Sequence, residues 1–257
     1  MTGTFGPSRD LSPPRKVIFI TAEPAHSGIA SQINSSSVIL SKLDLTSFES
    51  IKACAKAFLD ILYLNAGIMG APAAVTKDGY EIHMGVNHVG HALLLKSLTL
   101  LLLKTAADSD LRLGWVQICP SEGIQFNPLK QANVEGMTPV MQYAQSKLAN
   151  ILYARQVAKK YPQFTTVVVH PVTNLFSREP GDEQMAHLQK NVAPVRYVSI
   201  EEGVTNHLRA ASHGQLTNGI YYEPIGVPDM ATGLTVDEDQ AERIWQWTQK
   251  ELKGIEI

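Results

Sequence analysis

From Lys16 onward, short β-branched runs alternate with longer stretches of helical periodicity, and that order constrains the chain to a parallel sheet with helices on its faces. The strand candidates are KVIFIT (Lys16 to Thr21), SVILSKLDL (Ser37 to Leu45), DILYL (Asp60 to Leu64), LRLGWVQIC (Leu111 to Cys119), FTTVVVH (Phe164 to His170) and GIYYEP (Gly219 to Pro224). Thr46-Ser47-Phe48-Glu49 is a capping box that opens a helix to about Leu59, and Ser199-Ile200-Glu201-Glu202 opens another to about Ser212. A further helix is predicted to start near Asn87 and run through the leucine-rich segment. Met141 to Lys160 has apolar residues at helical spacing without internal Gly or Pro, and Val236 to Leu252 reads as a terminal helix. No repeat or low-complexity linker interrupts this order, so residues 16–257 are expected to form one domain behind a flexible tail, residues 1–15.

Composition removes several function classes. The net charge is −2 with no run of five like charges, which argues against a nucleic-acid partner. Two cysteines, Cys54 and Cys119, each in an apolar stretch, suit a reducing compartment, so a cytoplasmic protein is expected. The first fifteen residues have no apolar core of the secretory type. The longest apolar run, Ala92 to Leu103, is broken by Lys96 and is shorter than the ~20 residues of a spanning helix, so it is expected to be a buried helix and not a membrane span. His83, His88 and His91 lie close together but lack an HExxH pattern or a Cys partner, and they fit the start of a packed helix; no metal site is expected. Ser121 lacks the G-x-S-x-G elbow of a hydrolase.

The chemistry-bearing pattern is Tyr143-x-x-x-Lys147, whose spacing places both side chains on one helix face. A phenol is a poor acid–base catalyst at neutral pH, and an ammonium beside it favours the phenolate. Alone, the pair is ordinary helix decoration. Four further features change its weight. Asn65-Ala66-Gly67 ends a strand at the edge where open α/β sheets bind nucleotides, and Ser121 follows the strand Leu111 to Cys119 on the same edge, where its hydroxyl could donate to a substrate carbonyl. Asn87 opens the following helix, and Asp44-Leu45 ends another strand. Each has an ordinary turn or cap reading. Together, in this order, coincidence is improbable.

These segments resemble the short-chain dehydrogenase/reductase family, in particular its retinol-dehydrogenase-like branch frequent in fungi, and the resemblance runs from Lys16 to about Tyr222. It implies a Rossmann-like, doubly wound parallel sheet, a nicotinamide cofactor, NADP(H) with NAD left open, and a role in secondary metabolism. Asp44-Leu45 matches the motif that holds the adenine ring, and Asn65-Ala66-Gly67 the one that lines the cofactor cleft. YEIHMGVNHVGHALL (Tyr80 to Leu94) is similar to the segment with the structural and proton-relay asparagine, here Asn87. Pro120-Ser121-Glu122-Gly123 makes Ser121 the catalytic serine, and YAQSKLANILYA (Tyr143 to Ala154) is the most specific match. By this resemblance Tyr143 donates a proton to the carbonyl oxygen, Ser121 stabilises that oxygen, Lys147 lowers the tyrosine pKa and binds the nicotinamide ribose, and Asn87 holds a water that feeds Lys147. Val172 and Thr173, in a shortened H-P-G-V-V-x-T, would keep the carboxamide contacts. The helices from Val89 and around Tyr143 are apolar over more than one stripe, and the resemblance implies a homodimer built on them.

The chain departs from the family at the glycine-rich turn after the first strand. In one register Thr21 and Ser27-Gly28-Ile29 are its remnant; in another, AEPAH and SGIASQINSS match the segments around the second strand and the turn is absent. Either leaves too few residues between Thr21 and Val38 for helix, strand and helix, which need roughly 30 or more, so the sheet is expected to lack one βα unit. Two readings follow. One is a carbonyl/alcohol oxidoreductase acting on a small apolar metabolite; the other is a catalytically impaired member that serves as a binding or assembly protein because its dinucleotide site is truncated.

Overall fold

The computed structural model describes residues 18–21, 43–54, 61–106, 112–116, 123–169, 200–212, 216–223, 226–228 and 233–255. Among them one sheet runs β1 (Ile18–Ile20), β2 (Ile61–Leu64), β3 (Arg112–Val116), β4 (Thr165–Val169), β5 (Tyr221–Glu223) and β6 (Val227–Pro228), in sequence order. The first five strands are parallel, with Leu62 opposite Phe19 and Leu113, and β6 closes the edge antiparallel to β5. The parallel α/β class expected from the alternation is the one observed. Strand β6 has no sequence counterpart, because two residues are too short to show a period.

The helices are α1 (Phe48–Cys54), a π segment (Met84–Val89) running into α2 (Gly90–Ala106), α3 (Pro139–Lys160), α4 (Ile200–Ser212) and α5 (Glu238–Glu251), the last preceded by a 3-10 turn (Gly233–Val236). Two helix starts differ from the sequence reading. Thr46 does not cap α1, since its hydroxyl donates to Asp44 Oδ1 at 2.6 Å; Ser47 does, its Oγ accepting from the Ser50 N–H at 3.5 Å. Asn87 does not open its helix either. Helical structure begins three residues earlier because the buried Glu81 carboxylate accepts the His83 and Met84 N–H groups at 2.9 and 2.8 Å, which would otherwise be orphaned at a helix start. Gly90 then lets α2 approach the turn before α1: a Cβ there would stand 2.7 Å from the Leu45 carbonyl.

The strand expected over Ser37 to Leu45 does not include Leu43, Asp44 and Leu45, which form a turn. Its earlier part, the glycine-turn region and the expected missing unit lie outside the described residues, as do Ser121, Val172 and Thr173.

Met84–Ala106 makes 23 continuous helical residues, long and apolar enough by composition to cross a membrane, whereas the sequence reading counted only the run from Ala92. Within the fold, 67% of its most apolar window is buried, and Leu93, Leu94 and Leu102 are among the largest fully buried side chains.

Helix α3 is buried almost all round, and its second apolar stripe is one of the two helix faces on which a homodimer is expected. That stripe is covered by α5 of the same chain. Tyr153 stacks on Trp245 with centroids 5.1 Å apart, Gln249 Nε2 donates to Tyr153 Oη at 3.2 Å, and Arg155 pairs with Glu238 at 3.0 Å. Lys159 also pairs with Glu238. Lys96 of α2 donates to the Leu252 carbonyl at 2.6 Å and so fastens the end of α5, where unpaired carbonyls favour a cation.

Candidate active site

Four polar positions of α3, Tyr143, Ser146, Lys147 and Asn150, follow one another at i, i+3, i+4 and i+7, so one stripe carries them all. The helix is set by Thr138, whose Oγ1 accepts the Met141 N–H at 3.3 Å, with Pro139 in the first turn. The stripe faces the π segment and the loop that leaves β2.

Tyr143 and Lys147 are both buried, at 4% and 3% exposure, with Lys147 Nζ 5.5 Å from the centre of the phenol ring. Burial pushes the Tyr143 phenol well above its ordinary value and pulls the Lys147 ammonium down to about 8, because each loses hydration of its charged form. The expected lowering of the tyrosine pKa by the lysine is therefore not what this geometry gives; desolvation dominates, and the phenol rests protonated.

Asn87 joins the two halves of the site. Its Oδ1 accepts the Ile68 N–H at 2.9 Å and its Nδ2 donates to the Ile68 carbonyl at 3.0 Å and to Ser146 Oγ at 2.9 Å, while Ser146 in turn donates to the Tyr143 carbonyl at 2.7 Å. The main-chain oxygen of Asn87 accepts from Asn150 Nδ2 at 3.0 Å and from His91 Nδ1 at 2.9 Å. Both lone pairs of that carbonyl are thereby used.

The Asn65-Ala66-Gly67 loop is held from β1. Thr21 Oγ1 accepts the Asn65 and Ala66 N–H groups at 2.9 and 3.0 Å, and pairs with His91 Nε2 at 2.9 Å. His91 donates through Nδ1 to Asn87, so its Nε2 must accept, and the Thr21 hydroxyl is the donor. Burial lowers the His91 pKa to about 3 and that of His88 to about 4, so both rings are neutral. His88 continues the network: Nδ1 meets Asn150 Oδ1 at 3.1 Å, and Nε2 meets Thr248 Oγ1 of α5 at 2.8 Å. A continuous hydrogen-bonded path thus runs from α5 to the end of β1.

Gly67 lies against the pair itself. A Cβ at this position would be 2.9 Å from Lys147 Nζ and 3.1 Å from Asn87 Oδ1. Asp44 and Leu45 occupy the turn before α1: the Asp44 carboxylate accepts from the Thr46 N–H and hydroxyl and from Lys77 Nζ at 2.9 Å, and the Thr46 hydroxyl, ahead of Lys77, draws its pKa down to about 2. The structure therefore gathers Asn65, Ala66, Gly67, Asn87, Tyr143 and Lys147 into one hydrogen-bonded neighbourhood. Thr21, Glu81, His83, His91, Ser146 and Asn150 were missed as site residues. The polar stripe of α3 and the four-residue spacing of His83, Asn87 and His91 were the available signals.

The loop over residues 123–138 is tied down by glutamines. Ile124 N–H donates to Gln240 Oε1 at 2.7 Å, Gln125 N–H to Gln145 Oε1 at 2.6 Å, and Gln142 Nε2 to the Ala132 carbonyl at 3.2 Å. Among the described residues no cluster of His, Cys, Asp and Glu could hold a metal ion.

No family model matches the chain. It is 28% identical over 264 residues to the short-chain dehydrogenase/reductase drtF of Aspergillus calidoustus, which spans 92% of this chain and 83% of that protein. It is 30% identical over 247 residues to retinol dehydrogenase 12 of Mus musculus, spanning 92% and 76%. Among solved structures, a protein from Mycobacterium paratuberculosis superposes with a TM-score of 0.69 at 24% identity, over 93% of this chain and 84% of that one. An NADPH-bound carbonyl reductase from chicken fatty liver gives 0.59 at 19%, over 85% and 89%. At these identities the two structures share the fold.

Proposed function

Because this chain belongs to the short-chain dehydrogenase/reductase family, and is therefore an oxidoreductase that works with a nicotinamide dinucleotide, we propose that it uses NADP(H) to interconvert a carbonyl and a secondary alcohol on a small apolar metabolite. The observation that carries this reading is the buried Lys147 ammonium, set beside the Tyr143 phenol and closed over by Gly67, with desolvation as the sole cause of its shift. A cation buried without a carboxylate is costly unless a ligand supplies polar partners, and the ribose hydroxyls of a dinucleotide would do so. Gly67, whose missing side chain leaves room for the Lys147 ammonium, fits the same end of that ligand.

The bound nicotinamide would supply the hydride. Tyr143 holds the proton: its phenol, kept in the acid form by burial, donates from Oη to the carbonyl oxygen during reduction and takes the proton back during oxidation. Lys147 stabilises the phenolate as it forms, which is when an ammonium at this distance has most to act on. Asn87 fixes the loop over Lys147 through both backbone groups of Ile68. Ser121 would donate to the same substrate oxygen, while Asp44, Leu45, Asn65, Ala66, Val172 and Thr173 would contact the cofactor.

Titration with NADPH, followed by nicotinamide fluorescence, tests the reading. Saturable binding is expected, and Tyr143→Phe should abolish turnover while leaving that binding intact. Loss of both together would refute the assignment of Tyr143, and no saturable signal from the unmodified protein would leave the binding or assembly role in its place.

A further inference from the structure

Glu81 and His83, where the π segment begins, form a buried pair that the chemistry above does not employ. Glu81 Oε1 lies 2.8 Å from His83 Nδ1 and also accepts the His83 N–H. Facing a carboxylate, Nδ1 carries the hydrogen, which leaves a lone pair on Nε2, and that lone pair accepts the Ala71 N–H at 3.2 Å. Both ring nitrogens of His83 are thereby engaged. The same ring stands edge to face with the Tyr143 ring, centroids 6.4 Å apart and planes at 75°.

The geometry points to His83 as a positioning residue, one that ties the loop closing over Lys147 to the ring of the proton donor so that both keep a single arrangement. The loop is held at three places: Asn65 and Ala66 by Thr21, Ile68 by Asn87, and Ala71 by His83. Gly67 lies between the first two and within 2.9 Å, at its would-be Cβ, of Lys147 Nζ. Ala71 is the outermost of the three holds, and without it the loop beside the ammonium rests on Thr21 and Asn87 alone. His83 itself touches neither of the groups that the reaction changes; it acts through the backbone and through packing. This inference rests on the function proposed above.

Two substitutions separate the contacts. In His83→Gln the amide oxygen reaches about the place of Nε2 and can still accept the Ala71 N–H, although the donor to Glu81 is lost. In His83→Asn the side chain ends near the place of Nδ1, so a donor to Glu81 is kept and the Ala71 N–H is left unmet. The Ala71 N–H is half-buried, and losing its hydrogen bond frees the loop that stands over Lys147, so His83→Asn should raise the KM for NADPH severalfold, and His83→Gln should restore it. A role in stability alone would move melting temperature in both variants without this split, and equal KM values in the two would overturn the proposal. Amide hydrogen exchange at Ala71 in the unmodified protein, without cofactor, gives an answer that needs neither variant to fold. Slow exchange is expected, and exchange at the rate of open loop would overturn the proposal. A protein that shows slow exchange at Ala71 but neither binds nor oxidises NADPH would refute the proposed function while leaving the contact in place.

Discussion

A single methyl group at Gly67 tests the site most directly. Gly67 does not have a positive φ, so alanine fits the backbone, and the consequence is one of space. The new Cβ would stand 2.9 Å from Lys147 Nζ, 3.1 Å from Asn87 Oδ1 and 3.6 Å from Asn87 Cγ. Ordinary contacts lie near 3.5 Å or beyond, so roughly 0.5 Å must be found. Asn87 cannot turn aside, because its carboxamide is held by both backbone groups of Ile68 and by Ser146. The ammonium at the end of its flexible chain moves instead, away from its station beside Tyr143. Overpacking of this kind costs about 1–3 kcal/mol, a fall in melting temperature of about 2–4 °C per kcal/mol for a chain of this size. Displacing a positioned group by up to an ångström costs about a hundredfold in rate, so turnover should fall far more than stability. Gly254→Ala is the control: its φ is +77° with nothing within 4 Å, so it should lose about 1 kcal/mol of stability and keep its activity. Turnover is followed by nicotinamide absorbance, and a Gly67→Ala protein with unmodified turnover would refute the packing argument for Lys147.

Three other outcomes follow from the same contacts. Lys147 has a folded pKa of about 8 against an ordinary 10.5, so its charged form is penalised in the folded state; the penalty is fully present below pH 8 and vanishes as pH rises through 10.5. Lys147→Met should therefore be more stable than the unmodified chain at pH 7, by on the order of 3 kcal/mol, with the difference in melting temperature closing toward pH 10.5; a variant of lower stability at pH 7 would contradict the assigned burial cost. Thr21→Val keeps shape but leaves the Asn65 and Ala66 N–H groups and His91 Nε2 without their partner, and should lose on the order of 3 kcal/mol in chemical denaturation; an unchanged midpoint would show that the loop finds other acceptors. Since α5 covers the outer stripe of α3, the expected homodimer should build on α2, whose Leu100 is 83% exposed; Leu100→Glu should turn the dimer to a monomer in light scattering at micromolar concentration, and a monomer before that substitution would contradict it.

Helix α3 and strands β2 to β5 are legible in the sequence because periodicity, β-branching and turn residues are local properties, and the Tyr143/Lys147 pair follows from helical spacing once α3 is placed. Helix starts are less secure. Thr46 and Ser47 are both competent caps, and the choice falls to Ser47 because Asp44 engages the Thr46 hydroxyl. The start at Met84 depends on Glu81, whose carboxylate folds back onto the helix it precedes.

His88 and His91 show the larger limit. As a sequence pattern they read as part of a packed helix, and so they are; yet His88 meets Thr248, 160 residues away, and His91 meets Thr21, 70 residues away. Spacing along the chain determined which chemistry-bearing residues this protein owns and which share a helix face. Tertiary structure alone decided that burial would raise the phenol and lower the ammonium, that two side chains would occupy the Asn87 carbonyl, and that α5 would cover α3. Helical spacing is fixed within one turn of backbone, whereas desolvation and partner choice depend on groups that only the folded chain brings together.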